Sequence, residues 1–433
     1  MDKEIEKKNK ALKYLGQTIK DKKRFIFSKL GNELTLITTK ACNLNCPFCY
    51  DKANIQDKEY LSKIKDELNA EEIINLINIS KKIGMNNIRL TGGEALLKPN
   101  FLEIIKACEG IYVTLCTNGL ELKKNLNKII KLHKKDLHIH VSLDGLETHK
   151  KYRVGSDPYE VIKLLYYIKK KHPSVMVSIN TVLNMENIYE LSKVYSLVKN
   201  SKIDRWTISF PRLVENALEK NFKLPNIEDL CKEFNRLIKT YLKEKPFSLS
   251  FSYFYKFEIH EKKKYRAPLI KLEEHPCLPD ANGTKGLIID SFGNIIDCLV
   301  LKPLLDKPIN LKETLKKKES TVEEFISKLY SSLDSKFYDL KLKNQKECLN
   351  CRYLKLCKGG CPANAFYLTG KFTNVDITSC LMFYYFETEV LPNLPKKVRE
   401  EYLKLIDLSQ DVKTIQKRIK NNKKILTKVG CFT

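Results

Sequence analysis

The chain has 433 residues, 43% of them hydrophobic, enough for two domains or one large domain with an appendage. Its formal charge of +26 invites a nucleic-acid reading, but the basic residues are spread along nearly every predicted helix rather than gathered in one stripe, which speaks for general solubility. No apolar run approaches the ~18 residues of a membrane span, and the charged start Met1–Lys8 lacks a signal-peptide stretch, so the expected location is the cytoplasm, where 14 cysteines read as metal ligands rather than disulfides.

Residues 1–32 form a basic N-terminal extension with a short amphipathic helix expected around Lys10–Ile19. Over residues 33–215, strand-like patterns at 33–39, 87–91, 111–117, 137–143, 175–182 and 203–210 alternate with helix-like patterns at 70–84, 100–109, 122–134, 158–171 and 186–199. Six strands separated by helices predict parallel βα units, and a partial (β/α)6, TIM-like barrel of the α/β class fits that count. Chemistry in such barrels gathers at the C-terminal ends of strands, and the motifs fall there.

The first strand is followed by Cys42-x3-Cys46-x2-Cys49, three thiols within eight residues. A tetrahedral zinc site or a fully ligated cubane takes four ligands, so three point to a metal centre with one open position. Three buried thiols at a strand-to-loop corner, or part of a zinc knuckle, are the plainer readings. The second strand ends in Thr91-Gly92-Gly93-Glu94, where paired glycines allow close backbone approach and a carboxylate can accept from an ammonium group. Thr117-Asn118-Gly119 closes the third strand and also reads as an ordinary Asn-Gly turn. Ser142-Leu143-Asp144-Gly145 closes the fourth, with Asp144 shaping the turn and His149 and Arg153 following. Asn180 ends the fifth strand as either a ligand contact or a satisfied terminus, and Trp206 in the sixth reads as core.

Residues 216–276 read as a bridging region. Its aromatic stretch Phe247, Phe251, Tyr253, Phe254, Tyr255 and Phe257 suits a strand at the edge of the next domain, or stacking on bases. Residues 277–390 carry Cys277-x15-Gly293-x4-Cys298, then Cys348-x2-Cys351-x5-Cys357-x3-Cys361, then Cys380, with Ser291-Phe292-Gly293-Asn294 as a hairpin turn. Two zinc knuckles are the plain alternative. Of the four cysteines left, Cys108 and Cys116 read as packing residues, Cys231 lies on a predicted helix, and Cys431 reads as incidental near the C-terminus. The tail 391–433 holds eleven Lys/Arg against four Asp/Glu, as a solvated tail or a dock for an acidic peptide.

The C-x3-C-x2-C spacing, with Phe48 just before the third cysteine, resembles the signature of the radical S-adenosylmethionine (radical SAM) superfamily. That resemblance implies that Cys42, Cys46 and Cys49 hold three irons of a 4Fe-4S cluster, whose fourth iron chelates SAM. One electron then cleaves SAM to a 5'-deoxyadenosyl radical that abstracts hydrogen from substrate. It also implies SAM-binding roles for Gly92, Gly93 and Glu94 (the family's GGE motif), Asn118, Ser142 (SxDG), Arg153 facing the SAM carboxylate, and Asn180. The seven downstream cysteines resemble the SPASM domain, a small cysteine-rich unit with a β-hairpin and up to two auxiliary 4Fe-4S clusters. By family connectivity Cys348, Cys351, Cys357 and Cys380 ligate the outer cluster, and Cys277, Cys298 and Cys361 the inner one. Leu278–Gly283 supplies no further cysteine, so the inner cluster has an open iron, uses another ligand type, or is absent.

The expected activity is modification of a peptide or protein, by a thioether or carbon–carbon crosslink or by side-chain oxidation. A basic surface suits an acidic substrate, and an electron donor such as flavodoxin or ferredoxin is implied. The alternatives are a SPASM enzyme acting on a small molecule such as a tetrapyrrole, and a zinc-ribbon nucleic-acid-binding protein. The latter leaves the GGE and SxDG segments and the βα units unexplained. No residue stands out as a catalytic acid or base.

Overall fold

The computed structural model describes residues 32–50, 64–133, 135–213, 215–252, 256–259, 270–273, 287–296, 298, 300, 309–316, 324–325, 328 and 345–432. The expected helix at Lys10–Ile19, the aromatics Tyr253, Phe254 and Tyr255, and Cys277 with Leu278–Gly283 lie outside the described residues.

Six strands form where the alternating patterns predict them: β1 (Glu33–Ile37), β2 (Asn87–Thr91), β3 (Tyr112–Thr117), β4 (Leu137–Ser142), β5 (Met176–Val182) and β6 (Arg205–Ser209). They pair in that order and all in parallel. Side chains alternate across a strand, so one face carries fully buried Leu36, Leu90, Leu115, Ile139, Ile179 and Ile208. The other face carries Thr35, Arg89, Thr114, His138, Ser178 and Arg205. The apolar face packs into one core with α1 (Ala70–Ile83), α2 (Phe101–Ala107) and α3 (Leu122–Leu132); the short α4 (Glu147–Tyr152) buries only Thr148 and His149, and α5 (Pro158–Lys171) and α6 (Leu191–Val198) again join the core. α1 begins with a capping box, the Glu72 N–H donating to Asn69 Oδ1 at 2.9 Å and the Asn69 N–H to Glu72 Oε2 at 2.8 Å. Trp206 is buried in this core and donates to Thr181 Oγ1 at 2.9 Å.

Among the described residues the sheet extends beyond those six strands to eleven. β7 (Ser248–Ser252) lies parallel beside β6, followed by antiparallel β8 (Lys256–Ile259) and β9 (Ile270–Glu273). At the opposite end the hairpin β10 (Leu287–Ile289) and β11 (Ile295–Ile296) turns at Ser291–Asn294 as expected, but β10 also pairs in parallel with β1. The edge of β1 is thereby covered, which spares the sheet an open row of backbone donors and acceptors.

The stretch read as a bridge contains an 18-residue helix, α7 (Ile227–Glu244), capped by Asn226 and burying Ile227, Leu230, Cys231, Phe234, Leu237, Ile238 and Tyr241. Phe251 of β7 packs on Phe234 with ring centroids 4.6 Å apart, and Phe247 is buried as well, so these two of the aromatic stretch are core rather than a stacking platform.

The C-terminal region is helical, with α8 (Pro362–Thr369), α9 (Ile377–Tyr385) and α10 (Lys413–Asn421). The tail is not solvated. Ile415, Ile419, Leu426 and Cys431 are buried, and Val429 and Cys431 accept backbone hydrogen bonds from Leu224 (2.8 Å) and Ile227 (3.0 Å). Ile415 and Ile419, one helical turn apart, turn one face of α10 inward and leave its lysines outside. Cys431 is thus a packing residue of the main core. Cys116, expected in a packed position, instead points to the polar face, where Arg89 Nη1 lies 3.8 Å from its sulfur. Among the described residues no helix is long and apolar enough to cross a membrane.

Candidate active site

The loop after β1 is held on several sides by groups that are not cysteines. Buried Glu67 accepts from Thr39 Oγ1 (2.8 Å) and the Lys40 N–H (2.7 Å) and pairs with Lys98 Nζ at 3.3 Å. Asn43 Oδ1 accepts from Asn118 Nδ2 at 2.7 Å, which ties the loop to the end of β3. Asn216 Nδ2 spans the carbonyls of Cys46 (3.2 Å) and Cys49 (3.4 Å), and Phe48 packs against Phe222 at 5.3 Å. Asn43, Glu67 and Asn216 carry no motif and were invisible in the sequence.

The two glycines of the GGE segment are explained by the backbone. The Gly93 N–H donates to the Thr39 carbonyl (2.8 Å) and the Glu94 N–H to the Ala41 carbonyl (2.7 Å). A Cβ on Gly92 would stand 2.4 Å from the Thr39 oxygen, and one on Gly93 2.4 Å from the oxygens of Lys40 and Ala41, so neither position admits a side chain. Glu94 is buried, and its carboxylate accepts from Thr117 Oγ1 (2.8 Å), the Asn118 N–H (2.7 Å) and the Leu96 N–H (3.3 Å). Burial pushes its pKa up to about 7 against those donors. Its oxygens are engaged with the end of β3 and the turn after Glu94.

Arg153 is likewise engaged. It is buried, with Nε 2.5 Å from Asp144 Oδ2 and its guanidinium carbon 5.4 Å from the Phe48 ring centre. Asp144 Oδ1 accepts the Val182 N–H at 2.7 Å, so this carboxylate links the ends of β4 and β5 as well as shaping its own turn. His149 accepts the Asp144 N–H at Nδ1 (3.1 Å) and donates from Nε2 to Ser156 Oγ (2.9 Å). Ser142 and Asn180 are register partners on the polar face, both half-buried, and Asn180 Oδ1 accepts from Ser209 Oγ at 2.7 Å.

Burial pushes His149 down to about 4, against the pull of Asp144. A histidine unprotonated when folded but titrating near 6.5 when unfolded adds stability that is present above about pH 6.5 and lost as pH falls through about 4. The expected loss is about 3 kcal/mol, read as the urea-unfolding free energy at pH 7 and pH 4. His149→Gln should remove that share of the slope; identical profiles for the two proteins would exclude it.

Burial also raises the Cys42 thiol to about 11 and raises Cys46, where the Arg153 guanidinium pulls the other way. Metal binding must therefore displace thiol protons, and a buried cation beside the sulfurs suits thiolates once formed. Among the described residues no three His, Cys, Asp or Glu side chains are disposed to hold a single metal ion. Cys42, Cys46 and Cys49 are free thiols of one loop, the donor type that an iron–sulfur cluster takes.

A second group of thiols lies in the C-terminal region. Cys348, Cys351, Cys357 and Cys380 line one small pocket with Tyr353, Asp376 and Arg418. Cys361 is buried at the start of α8, its N–H donating to Asp376 Oδ2 at 2.9 Å, and does not line that pocket. Half-buried Cys298 stays outside it too. Arg418, from the tail, was not anticipated.

Residues 36–198 match the model of the radical SAM superfamily. The "Probable GTP 3',8-cyclase" of Pyrococcus abyssi is 30% identical over 223 residues, 49% of this chain and 68% of that protein. The protein of the same name from Saccharolobus solfataricus is 31% identical over 181 residues, 40% of this chain and 55% of its own length. Streptococcus suis SuiB, solved with S-adenosylmethionine (TM-score 0.59) and with its precursor peptide SuiA (0.60), is 20% identical, with 81% of this chain covering 77% and 76% of the two SuiB chains. The chain belongs to the radical SAM superfamily. It is an enzyme, and its family works by radical chemistry with a 4Fe-4S cluster and SAM.

Proposed function

We propose that this enzyme carries a SPASM-type C-terminal domain and modifies a peptide or protein, forming a thioether or carbon–carbon crosslink or oxidising a side chain. The observation that carries this reading is the gathering of Cys348, Cys351, Cys357 and Cys380 around one pocket, the ligand number of a fully ligated auxiliary 4Fe-4S cluster. Cys42, Cys46 and Cys49 hold the SAM-binding cluster, and Cys277, Cys298 and Cys361 serve an inner auxiliary cluster. When bound, the cluster and SAM supply a radical able to take hydrogen from an unactivated C–H bond. The chain's own share is positioning: Asn118 and Asn216 fix the cysteine loop, Arg153 offsets thiolate charge, and Ser142 and Asn180 face SAM from the polar side of the sheet.

The likeness to SuiB supports a peptide substrate, and the charge of +26 suits an acidic one. Electrons come from a flavodoxin- or ferredoxin-like donor in the cytoplasm. A second reading, turnover of a small molecule, is favoured by the cyclase relatives. Cleavage of SAM by the reduced, cluster-loaded enzyme discriminates them. Short peptides encoded beside the gene should raise 5'-deoxyadenosine yield and lose hydrogen mass, whereas GTP should do nothing. Cyclisation of GTP would overturn the peptide reading.

A further inference from the structure

The second thiol pocket receives a cation from outside its own cysteine pattern. Arg418 on α10 lies 38 positions beyond Cys380 and directs Nη1 to the Cys380 sulfur at 3.5 Å. Its Nη2 donates to the Glu347 carbonyl at 2.8 Å, and Nε pairs with Glu347 Oε2 at 3.2 Å. The arginine side chain is 12% exposed and the glutamate 69%, so the cation faces the sulfurs while the anion faces water. The acid lining the pocket, Asp376, is occupied: Oδ1 accepts from Thr378 Oγ1 (2.6 Å), and Oδ2 from Ser379 Oγ (2.7 Å) and the Cys361 N–H (2.9 Å). Among the described residues lining this pocket, Arg418 is the one cation. Buried Ile415, three residues before Arg418, and Ile419 anchor the same side of α10, which holds the guanidinium against the thiols.

The potential of an iron–sulfur cluster follows its net charge, the hydrogen bonds to its sulfurs and its exposure. We propose that Arg418 is a positioning residue for the outer auxiliary cluster, setting its potential through an N–H···S hydrogen bond and a buried positive charge. The inference rests on the SPASM reading above. One-electron reduction adds one negative charge to the cluster and neither makes nor breaks a bond. A buried guanidinium favours that added charge, and so raises the potential. The planar fork reaches the Cys380 sulfur and the Glu347 carbonyl together, which a lysine ammonium cannot copy in full.

The test is a dithionite titration, followed by electron paramagnetic resonance, of the full chain with Cys42, Cys46 and Cys49 changed to Ala. The outer-cluster signal is the one lost in Cys380→Ala. Arg418→Gln should lower the midpoint by about 59 mV, a tenfold drop in the reduced-to-oxidised ratio for one electron. Arg418→Lys should restore part of it, and Glu347→Gln should move it the other way. A midpoint unchanged across these variants, with only iron content or stability altered, would mean a purely structural arginine and overturn the proposal. If Arg418→Gln does not load, the signs seen in Arg418→Lys and Glu347→Gln decide. If Cys380→Ala loses no iron relative to its parent, the SPASM reading itself fails, and iron analysis shows this independently of any potential.

Discussion

Replacing Cys42, Cys46 and Cys49 together by alanine is expected to remove about four irons per chain, one cubane, and to abolish SAM cleavage while the C-terminal iron stays. The variant should fold, because apart from the Leu44 N–H donating to Cys42 Sγ at 3.4 Å the loop is held by groups other than its sulfurs. Glu67 holds its start, Asn118 its middle and Asn216 its end, and the Gly93 and Glu94 N–H groups stitch it to β2. Iron and zinc analysis of anaerobically purified protein, with 5'-deoxyadenosine as the product measured, checks both parts. Unchanged iron would remove the loop from the metal site, and colourless protein holding zinc would overturn the radical mechanism.

The second large effect concerns Asp144, which has no exposure and is paired with a buried arginine. Asp144→Ala strands the Arg153 cation and frees the Val182 N–H, at a cost of about 3–5 kcal/mol in chemical unfolding. The double variant Asp144→Leu with Arg153→Met should recover much of that loss, because removing both charges leaves none uncompensated. It should still lose activity, since the guanidinium beside Cys46 goes with it. A loss below about 1 kcal/mol in Asp144→Ala would show that the pair is solvated after all.

Much of the core was readable because its signals are local. Strict alternation in β1 to β6 and the apolar spacing of α1 and α5 reflect one buried face each, and such faces show in a short window. The hairpin around Gly293 was readable for the same reason, its turn residues lying side by side. Its pairing with β1 was not, since three residues with no polar alternation match many edges equally well. α7 carried a legible pattern, apolar at 227, 230, 231, 234, 237, 238 and 241, and the helix expected at Cys231 is there; its 18-residue length was not read from the irregular stretch around it. In the tail, eleven basic residues masked the few isoleucines and leucines that bury it. The site divides the same way: the cysteines and glycines form motifs, while Asn43, Glu67, Asn216 and Arg418 act across long sequence separations.

The place of β10 in the sheet also has a consequence for synthesis. β1 is among the first strands to leave the ribosome, yet the strand that covers its outer edge follows only after β2 to β9. Until then the strand that carries the cysteine loop offers an open row of backbone groups to any neighbouring chain. A nascent or truncated chain ending before Leu287 therefore exposes a sticky edge beside three unligated thiols. Iron delivery matched to chain completion, rather than to emergence of Cys42, would avoid loading a metal centre into a half-built sheet.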